Sequence, residues 1–343
     1  MTLCTFAALS WRVGIHHFDE EGSNHHIDEE GFIMKLEEIK GIIVPLITPV
    51  DEKETVDEKE TIDEEKLRYM VNRVVDGGVN GILAFGSNGE FYMFDEAELE
   101  RGLKIVIDEN RGRVPVYYGV GAISTSKGVR QAKMAAAAGA DGISILQPMF
   151  IHPTEQSLYR HFRTIAEAVP DVCVLLYNNP GRCGYCLTAD LVEKLARDVK
   201  NIVGVKDSCG DFTLLSELIR RTRDMDFKVL SGKDTLLFGG LCMGSAGGVC
   251  SIANLFPQLV CGIYDKFQKG DYAGAREDQF RLNPVRISQD AASFPVATKD
   301  MANMLGLEVG KSVLPSEPSK GQAWENMKRS IDEADLFEYY SKK

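Results

Sequence analysis

A lysine at the end of an apolar strand pattern is the residue of this sequence best suited to covalent chemistry. Lys206 follows the β-branched residues Ile202, Val203 and Val205, and small polar residues come after it. Burial disfavours a charged ammonium, and the neutral amine is the form that attacks a ketone to make a Schiff base. Taken alone, Lys206 also fits a lysine that simply bends out to solvent.

The rest of the chain indicates where Lys206 would lie. From residue 35 onward, strand and helix patterns alternate regularly. Predicted strands cover 42–48, 81–85, 114–120, 142–146, 172–177, the start of 201–211, 227–230 and 247–250. Predicted helices between them cover 63–75, 95–108, 126–138, 154–168, 188–199, 212–223 and 234–243. These repeated units predict an α/β fold, a (β/α)8 TIM barrel, rather than a doubly wound sheet with a glycine-rich dinucleotide fingerprint.

The chain divides into three predicted parts. Residues 1–33 have no strand or helix pattern and are predicted to be a leader outside the fold. Residues 34–252 form the catalytic barrel, and residues 253–343 form a C-terminal helical extension with helices at 255–267, 272–289 and 297–305. The leader has no cationic start and no small-residue cleavage site, which argues against a secretory signal.

Composition limits the classes of partner. The net charge is -12 and no apolar run is long enough to cross a bilayer, so neither nucleic acid nor membrane is expected as a partner. The eight cysteines are scattered, which predicts reduced, buried thiols in a cytoplasmic protein. Cys183 and Cys186 form a lone C-x-x-C motif without a second ligand pair, so we expect no metal site there.

In a barrel of this kind, the residues just past each strand converge on one face. The turn 86–90 (GSNGE) follows the second strand, and its glycines together with the Ser87 hydroxyl could receive a carboxylate or an oxyanion. An ordinary glycine turn is the alternative. Tyr177 ends the strand next to that of Lys206, where a phenol can relay protons or merely cap the core.

Two further positions would face a substrate. Arg182 could clamp a carboxylate with its planar guanidinium or form a surface ion pair. Lys233 and Asp234 follow the seventh strand, where they could meet the distal part of a substrate. Lys233 competes with Lys206 for the Schiff-base role, and we favour Lys206 because an apolar strand would desolvate it.

Together these residues resemble the dihydrodipicolinate synthase / N-acetylneuraminate lyase family of class I aldolases. The resemblance covers about residues 37–315. It is carried by the turn 86–90, the YNNP motif 177–180, the GVKDS stretch 204–208, and the GGV stretch 247–249 with Ser251 and Asn254. It implies a (β/α)8 barrel with a C-terminal helical extension, in a homotetramer built as a dimer of dimers.

The resemblance also implies roles for the site residues. Lys206 would condense with the ketone of pyruvate or another 2-oxo acid, and Tyr177 would be the acid and base. Ser87 and Asn88 would hold the 2-oxo acid carboxylate, with Ser87 also bonded to Tyr177. No cofactor or metal is implied, because the protonated imine is itself the electron sink. The predicted catalytic residues are Lys206, Tyr177 and Ser87, and the predicted substrate-binding residues are Gly86, Ser87, Asn88, Arg182, Gly232, Lys233, Asp234 and Cys250.

The sequence also departs from the family pattern. Dihydrodipicolinate synthases typically have two tyrosines after the fourth strand, the second reaching a neighbouring subunit's site, whereas this chain has Met149 and Phe150. Phe150 has no hydroxyl, which leaves the proton relay incomplete; His152 lies nearby as a substitute or a solvated loop residue. Arg182 matches the arginine of dihydrodipicolinate synthases, while Lys233 matches neither named member.

These departures order the functional expectations. The first is a Schiff-base aldolase that makes or cleaves a hydroxylated 2-oxo acid, such as a 2-keto-3-deoxy sugar acid, with pyruvate as one partner. The second is dihydrodipicolinate synthase, which condenses pyruvate with aspartate semialdehyde. A hydro-lyase or deaminase that uses the same imine, and a non-catalytic paralogue, are the remaining alternatives.

Overall fold

The computed structural model describes residues 36–51, 61–290, 292–334 and 336. The predicted leader, residues 1–33, lies outside these described residues. Eight parallel strands form a closed barrel in sequence order, and the eighth pairs with the first. The strands are β1 (Gly41–Pro45), β2 (Gly81–Ala84), β3 (Val116–Val120), β4 (Gly142–Leu146), β5 (Cys173–Asn178), β6 (Ile202–Asp207), β7 (Lys228–Ser231) and β8 (Gly247–Val249). The predicted fold class is confirmed.

Helices follow the strands and surround the barrel. They are α1 (Glu64–Asp76), α2 (Glu96–Asn110), α3 (Thr125–Ala137), α4 (Glu155–Glu167), the short α5 (Pro180–Cys183), α6 (Ala189–Asp198), α7 (Phe212–Thr222) and α8 (Leu237–Met243). The predicted strand and helix positions agree with these bounds to within a few residues. No helix in the described part of the chain is long and apolar enough to cross a membrane.

Side-chain caps set the starts of six of these helices. In each, an oxygen of the residue before the helix accepts a hydrogen bond from a backbone N–H of the first turn, which satisfies a donor that the helix itself leaves unpaired. The capping residues are Asp63, Asp95, Ser124, Thr154, Thr188 and Asp211. Polar residues at the carboxyl ends of the connecting loops therefore fix where each helix begins.

The C-terminal extension consists of α9 (Pro257–Gln268), α10 (Tyr272–Asp290), α11 (Val296–Met304) and α12 (Gln322–Glu333). Helix α10 packs against both α9 and α12, and it also contacts the turn that follows β7. The extension thus reaches the carboxyl end of the barrel, where the predicted site lies.

The strand period places side chains in two layers. Along β5, Cys173 and Leu175 belong to the small cluster inside the barrel, whereas Val174 and Leu176 pack into the larger core under the helices. Side chains two residues apart share a face of a strand. Tyr177 therefore extends the interior row to the carboxyl end of β5.

Candidate active site

Lys206 and Tyr177 meet at the carboxyl end of the barrel. They are aligned as partners on the neighbouring strands β5 and β6, and the Lys206 side chain alternates with that of Val205, which packs in the outer core. The Lys206 Nζ atom lies 4.0 Å from the centroid of the Tyr177 ring. Lys206 is only 4% exposed and Tyr177 5%, so the amine sits in the dry environment that the apolar strand predicted.

The Tyr177 hydroxyl lies among polar side chains at the end of β5 and β6. Burial raises the pKa of Tyr177, but the Lys206 charge and bonds to Ser87, Ser208 and Asn179 lower it more, so the net pKa shift is downward. The Asn179 amide donates to the phenol oxygen at 2.8 Å. A phenol whose anion is stabilised in this way can take up and return a proton during a reaction on the amine.

The turn 86–90 uses its glycines differently from the prediction. Gly86 has φ −74° and Gly89 does not have positive φ, whereas Phe85 and Glu90 have φ of 52° and 54°. Gly89 is needed because a Cβ there would lie 2.9 Å from the Leu46 carbonyl oxygen. Two strained non-glycine residues therefore flank the turn, and other contacts must hold them.

A buried ion pair supplies one of these contacts. Lys299 Nζ of α11 lies 2.5 Å from Glu90 Oε2, and both side chains are 1% exposed or less. The other Glu90 oxygen accepts from the backbone N–H of Val313 at 3.1 Å. Lys299 and Val313 of the C-terminal extension thus stabilise the turn 86–90 through Glu90.

Asn88 is bound within the protein at both ends of its amide. Its Nδ2 donates to the Pro45 carbonyl at 2.8 Å, and its Oδ1 accepts from the Thr298 hydroxyl at 3.1 Å. The Asn88 side chain lines the pocket, but its polar atoms stabilise the turn. A substrate carboxylate at this position would depend on backbone N–H groups of the turn, whose first N–H groups have no intrahelical partner.

A pocket of about 270 Å³ opens over Lys206 and Tyr177. Its wall includes seven of the predicted site residues: Asn88, Tyr177, Arg182, Lys206, Gly232, Lys233 and Asp234. The cations differ in their surroundings. The guanidinium of Arg182 lies over the Phe294 ring at 4.6 Å, while Lys233 is half-buried in a turn, so Lys206 is the more desolvated of the two competing lysines.

Asp234 lies in the pocket wall and is also bonded within the protein. Its side chain is 2% exposed, accepts from the Ile252 N–H at 2.8 Å, and lies 3.5 Å from Arg286 Nε of α10. Ser251 Oγ is a further neighbour at 3.4 Å. The Asp234 carboxylate therefore joins the barrel to α10. Its negative charge at the pocket wall is paired with the positive charge of Arg286.

Three predicted substrate-binding residues lie outside this pocket. Gly86 and Ser87 line a small void behind Tyr177, where the buried Ser87 Oγ has no hydrogen bond of ordinary geometry within the described chain yet lowers the pKa of Tyr177. Cys250 is fully buried and its N–H donates to the Ile43 carbonyl. Its neighbours Val249 and Ser251 line the pocket instead, because successive side chains alternate, so we correct the assignment of Cys250.

In the loop after β4, Phe150 and His152 both lie outside the pocket wall. Phe150 is 95% exposed with φ of 70°, and it does not line the pocket of its own chain. His152 packs against Tyr185 with ring centroids 5.0 Å apart and is likewise outside the pocket wall. Neither residue can serve as a proton relay for Tyr177 within this chain.

Sequence reasoning missed several residues of the pocket wall. Asn179 and Ser208 are close to the Tyr177 hydroxyl, and their positions directly after β5 and β6 were a usable signal. Arg286, Asp290 and Phe294 come from the extension. Their distance along the chain gave no indication that they reach the barrel mouth.

A buried lysine beside a buried tyrosine, at the carboxyl end of a (β/α)8 barrel, fits a class I aldolase type of enzyme. The sequence model of the Dihydrodipicolinate synthetase family matches residues 38–334, and the chain belongs to this family. The predictions of family and of enzyme class are therefore confirmed.

Named relatives cover nearly the whole described chain. The 4-hydroxy-tetrahydrodipicolinate synthase of Methanospirillum hungatei is 35% identical over 296 residues, which cover 86% of this chain and 99% of that protein. The protein of the same name from one strain of Thermus thermophilus is 34% identical over 293 residues, which cover 85% and 95%.

Solved structures give the same family. The structure of DHDPS from Cyanidioschyzon merolae with lysine bound has a TM-score of 0.82 and 26% identity, and the match covers 87% of this chain and 99% of that chain. A prophage protein of the dihydrodipicolinic acid synthase family from E. coli K12, in complex with pyruvate, has a TM-score of 0.80 and 27% identity, with coverage of 87% and 99%.

Proposed function

We propose that this enzyme is a 4-hydroxy-tetrahydrodipicolinate synthase, which condenses pyruvate with aspartate semialdehyde through a Schiff base on Lys206. The observation that carries the proposal is the buried Lys206 amine, 4.0 Å from the ring centroid of Tyr177. The relatives are named for the product, 4-hydroxy-tetrahydrodipicolinate, and Arg182 in the pocket wall supplies a cation for the aldehyde's carboxylate.

The chemistry follows from the two side chains. The neutral Lys206 amine attacks the pyruvate ketone, and loss of water gives the protonated imine. The imine withdraws electrons, so a proton leaves the pyruvate methyl group and the resulting enamine attacks the aldehyde carbon. The amino group of the aldehyde then attacks the imine carbon, which closes the ring and releases the Lys206 amine. Tyr177 is the group that moves protons to and from the carbinolamine and the new hydroxyl, in line with its lowered pKa. We propose that no cofactor or metal takes part, because the imine is the electron sink.

Within this scheme Ser87 and Asn88 support the site indirectly. We assign Ser87 to the proton relay with Tyr177, and Asn88 to the shape of the turn that offers backbone N–H groups to the pyruvate carboxylate. Gly232 and the half-buried Lys233 complete the walls around the substrate, with Lys233 near its distal end, while Gly86 lies beside Ser87 at the void behind Tyr177.

A sugar-acid aldolase stays as a second candidate because two observations favour it. Phe150 has no hydroxyl where a synthase would supply one to a neighbouring site. Lys233 has no ion-pair partner within the described residues, and its charge would repel the ammonium group of aspartate semialdehyde. A hydroxylated acid without an amine avoids that repulsion.

Product analysis separates these candidates. Purified enzyme is incubated with pyruvate and aspartate semialdehyde, and separately with 2-keto-3-deoxygluconate, and the products are identified by mass spectrometry and NMR. The proposal expects cyclic product in the first reaction and no pyruvate release in the second. Pyruvate release from the sugar acid, with no cyclic product in the first reaction, would favour the aldolase over the synthase. Loss of water or ammonia without pyruvate release would indicate a hydro-lyase or deaminase.

We also propose a cytoplasmic homotetramer. Phe150 and its neighbour Ile151 are exposed apolar residues on one loop, 95% and 45% exposed, and burial in a subunit contact would remove that apolar area from water. Analytical ultracentrifugation is expected to give a tetramer, and Phe150→Ser is expected to shift it toward smaller species. A monomeric wild-type protein at micromolar concentration would contradict this assembly.

A further inference from the structure

Two thiols meet at the mouth of the pocket. The Sγ atoms of Cys186 and Cys209 lie 3.2 Å apart, although the residues are 23 positions apart in sequence. Cys186 lies in the loop between α5 and α6 and is exposed, while Cys209 lies in the loop after β6, is partly exposed and lines the pocket. The exposure of Cys186 and Cys209 differs from the prediction of buried thiols, which holds for Cys173, Cys183, Cys250 and Cys261.

The contact is fixed by the backbone around it. Asn178, buried at the end of β5, accepts from the N–H of Leu187 through its side chain at 3.0 Å, and from the N–H of Ser208 through its carbonyl at 2.8 Å. Its amide also donates to Asp207 at 2.8 Å. One buried residue therefore anchors the neighbour of each cysteine, so the approach of the two sulfurs is built into both loops.

The other described cysteines lack this arrangement. Cys183, the first cysteine of the C-x-x-C motif, is buried and its thiol donates to the Gln147 carbonyl at 3.2 Å. Cys242 is exposed, but no second sulfur contacts it among the residues with described structure. The C-x-x-C spacing is thus misleading, because Cys186 faces Cys209 rather than Cys183.

We propose that Cys186 and Cys209 are an oxidation site, forming a reversible disulfide beside the pocket wall that slows the enzyme. The oxidant is a small-molecule disulfide, and the exchange is balanced. The Cys209 thiol attacks it, releasing one small thiol and leaving a mixed disulfide; Cys186 then displaces the second small thiol. Two protein thiols lose two protons and two electrons, and the small disulfide gains both as two thiols.

The order of attack follows from the environments of the two sulfurs. The Cys186 side chain is largely exposed, but partial desolvation of its sulfur raises the pKa of the thiol, and its hydrogen bond to Cys209 and nearby carboxylates add to the shift. The thiolate is the reactive form, so Cys186 is a poor first nucleophile. Cys209, at the pocket wall, reacts first, and Cys186 needs only to resolve the mixed disulfide that forms beside it.

The Cys186–Cys209 disulfide would move Ser208, which lies next to Tyr177. A disulfide brings the sulfurs from 3.2 Å to about 2.05 Å, which pulls on the loop that carries Ser208. The Ser208 hydroxyl donates to the Gly232 carbonyl at 3.1 Å and also lowers the pKa of Tyr177. Displacements near 1 Å cost up to about 10²-fold in rate, so we expect imine formation with pyruvate to slow by roughly tenfold or more.

The test uses the full-length protein equilibrated in mixtures of oxidised and reduced glutathione. Peptide mapping under non-reducing conditions is expected to find a peptide linking Cys186 to Cys209, and dithiothreitol is expected to restore the rate of pyruvate imine formation. Cys186→Ser should form no linking peptide and should instead keep a glutathione adduct on Cys209 in the same buffer, because the resolving thiol is missing, while Cys242→Ser, the matched control on an exposed thiol away from the pair, should respond like the wild type. The same map covers Cys4, which lies outside the described residues.

Three results would overturn the proposal: no linking peptide under oxidising conditions, a stable glutathione adduct on Cys209 in its place, or a linking peptide with an unchanged imine rate. The peptide map needs no enzyme activity, and the imine rate needs pyruvate alone. The outcome is therefore independent of whether aspartate semialdehyde is the second substrate.

Discussion

Replacing Tyr177 by phenylalanine removes one oxygen from the site and leaves the rest of the ring in place. The ring remains over Lys206, whose Nζ lies 4.0 Å from its centroid. The change removes the hydrogen bond donated by Asn179 at 2.8 Å and the weaker contacts with Ser87 and Ser208. Asn179 is half-buried, so water can replace the phenol oxygen as its acceptor. The variant should therefore fold normally, and a slower reaction can be assigned to proton transfer.

The size of the effect follows from the role. A positioned acid or base contributes about 10²- to 10⁴-fold, which corresponds to roughly 3 to 5 kcal/mol of barrier. Because the pKa of Tyr177 is lowered from 10.0, the alkaline change in the wild-type pH–rate profile should fall below pH 10 and disappear in Tyr177→Phe.

The assay is rapid quenching of the pyruvate imine with borohydride, measured together with steady-state turnover across pH. The matched control is Tyr118→Phe, because Tyr118 is a fully buried barrel tyrosine whose hydroxyl has no hydrogen-bond partner within the described chain. That control should retain wild-type rates. An unchanged rate and pH profile in Tyr177→Phe, with the control also unchanged, would refute the assignment of the proton relay.

Lys206→Ala should form no imine and show no turnover while its circular dichroism spectrum stays native, and substantial residual activity would reject the residue. Arg182→Ala should raise KM for the aldehyde by about tenfold or more, the cost of one charge-assisted contact, with little change in pyruvate imine formation; equal losses in both would place Arg182 at the pyruvate end. Lys299→Met should cost about 3 to 5 kcal/mol of unfolding free energy because it leaves Glu90 buried without its ion-pair partner, and chemical denaturation of the single variant and of Lys299→Met with Glu90→Gln should show part of the loss recovered in the double variant. Burial lowers the pKa of His161 to about 4, below an unfolded value of about 6.5. Its contribution to stability, about 3 kcal/mol, is therefore complete above pH 6.5 and is lost as pH falls toward 4. His161→Leu should reduce this loss of stability in acid, and an acid dependence identical to that of the wild type would show that His161 is not its cause.

The parts of the site that sequence could predict are those adjacent to strands. Lys206 and Tyr177 are fixed by the period of β5 and β6, since alternation and parallel pairing leave few choices for where a strand's last side chain lies. The same regularity predicted the barrel. The same alternation of side chains places Val249 and Ser251, rather than Cys250, in the pocket wall.

Contacts between segments far apart along the chain could not be predicted from the sequence. Arg286 pairs with Asp234 across a long sequence interval, and Lys299 reaches Glu90 from α11. No local pattern specifies which helix of the extension covers the barrel mouth, because that choice depends on packing. The Cys186 and Cys209 contact has the same origin, since Asn178 joins two loops that the sequence presents separately.

The central claim is that the Lys206 amine forms the covalent bond with the 2-oxo acid. The most direct measurement is reduction of the enzyme with borohydride in the presence of pyruvate, followed by digestion and identification of the modified peptide by mass spectrometry. We expect a single reduced pyruvate adduct on Lys206, which is absent when pyruvate is omitted. An adduct on Lys233, or no adduct while the enzyme turns over pyruvate, would contradict it.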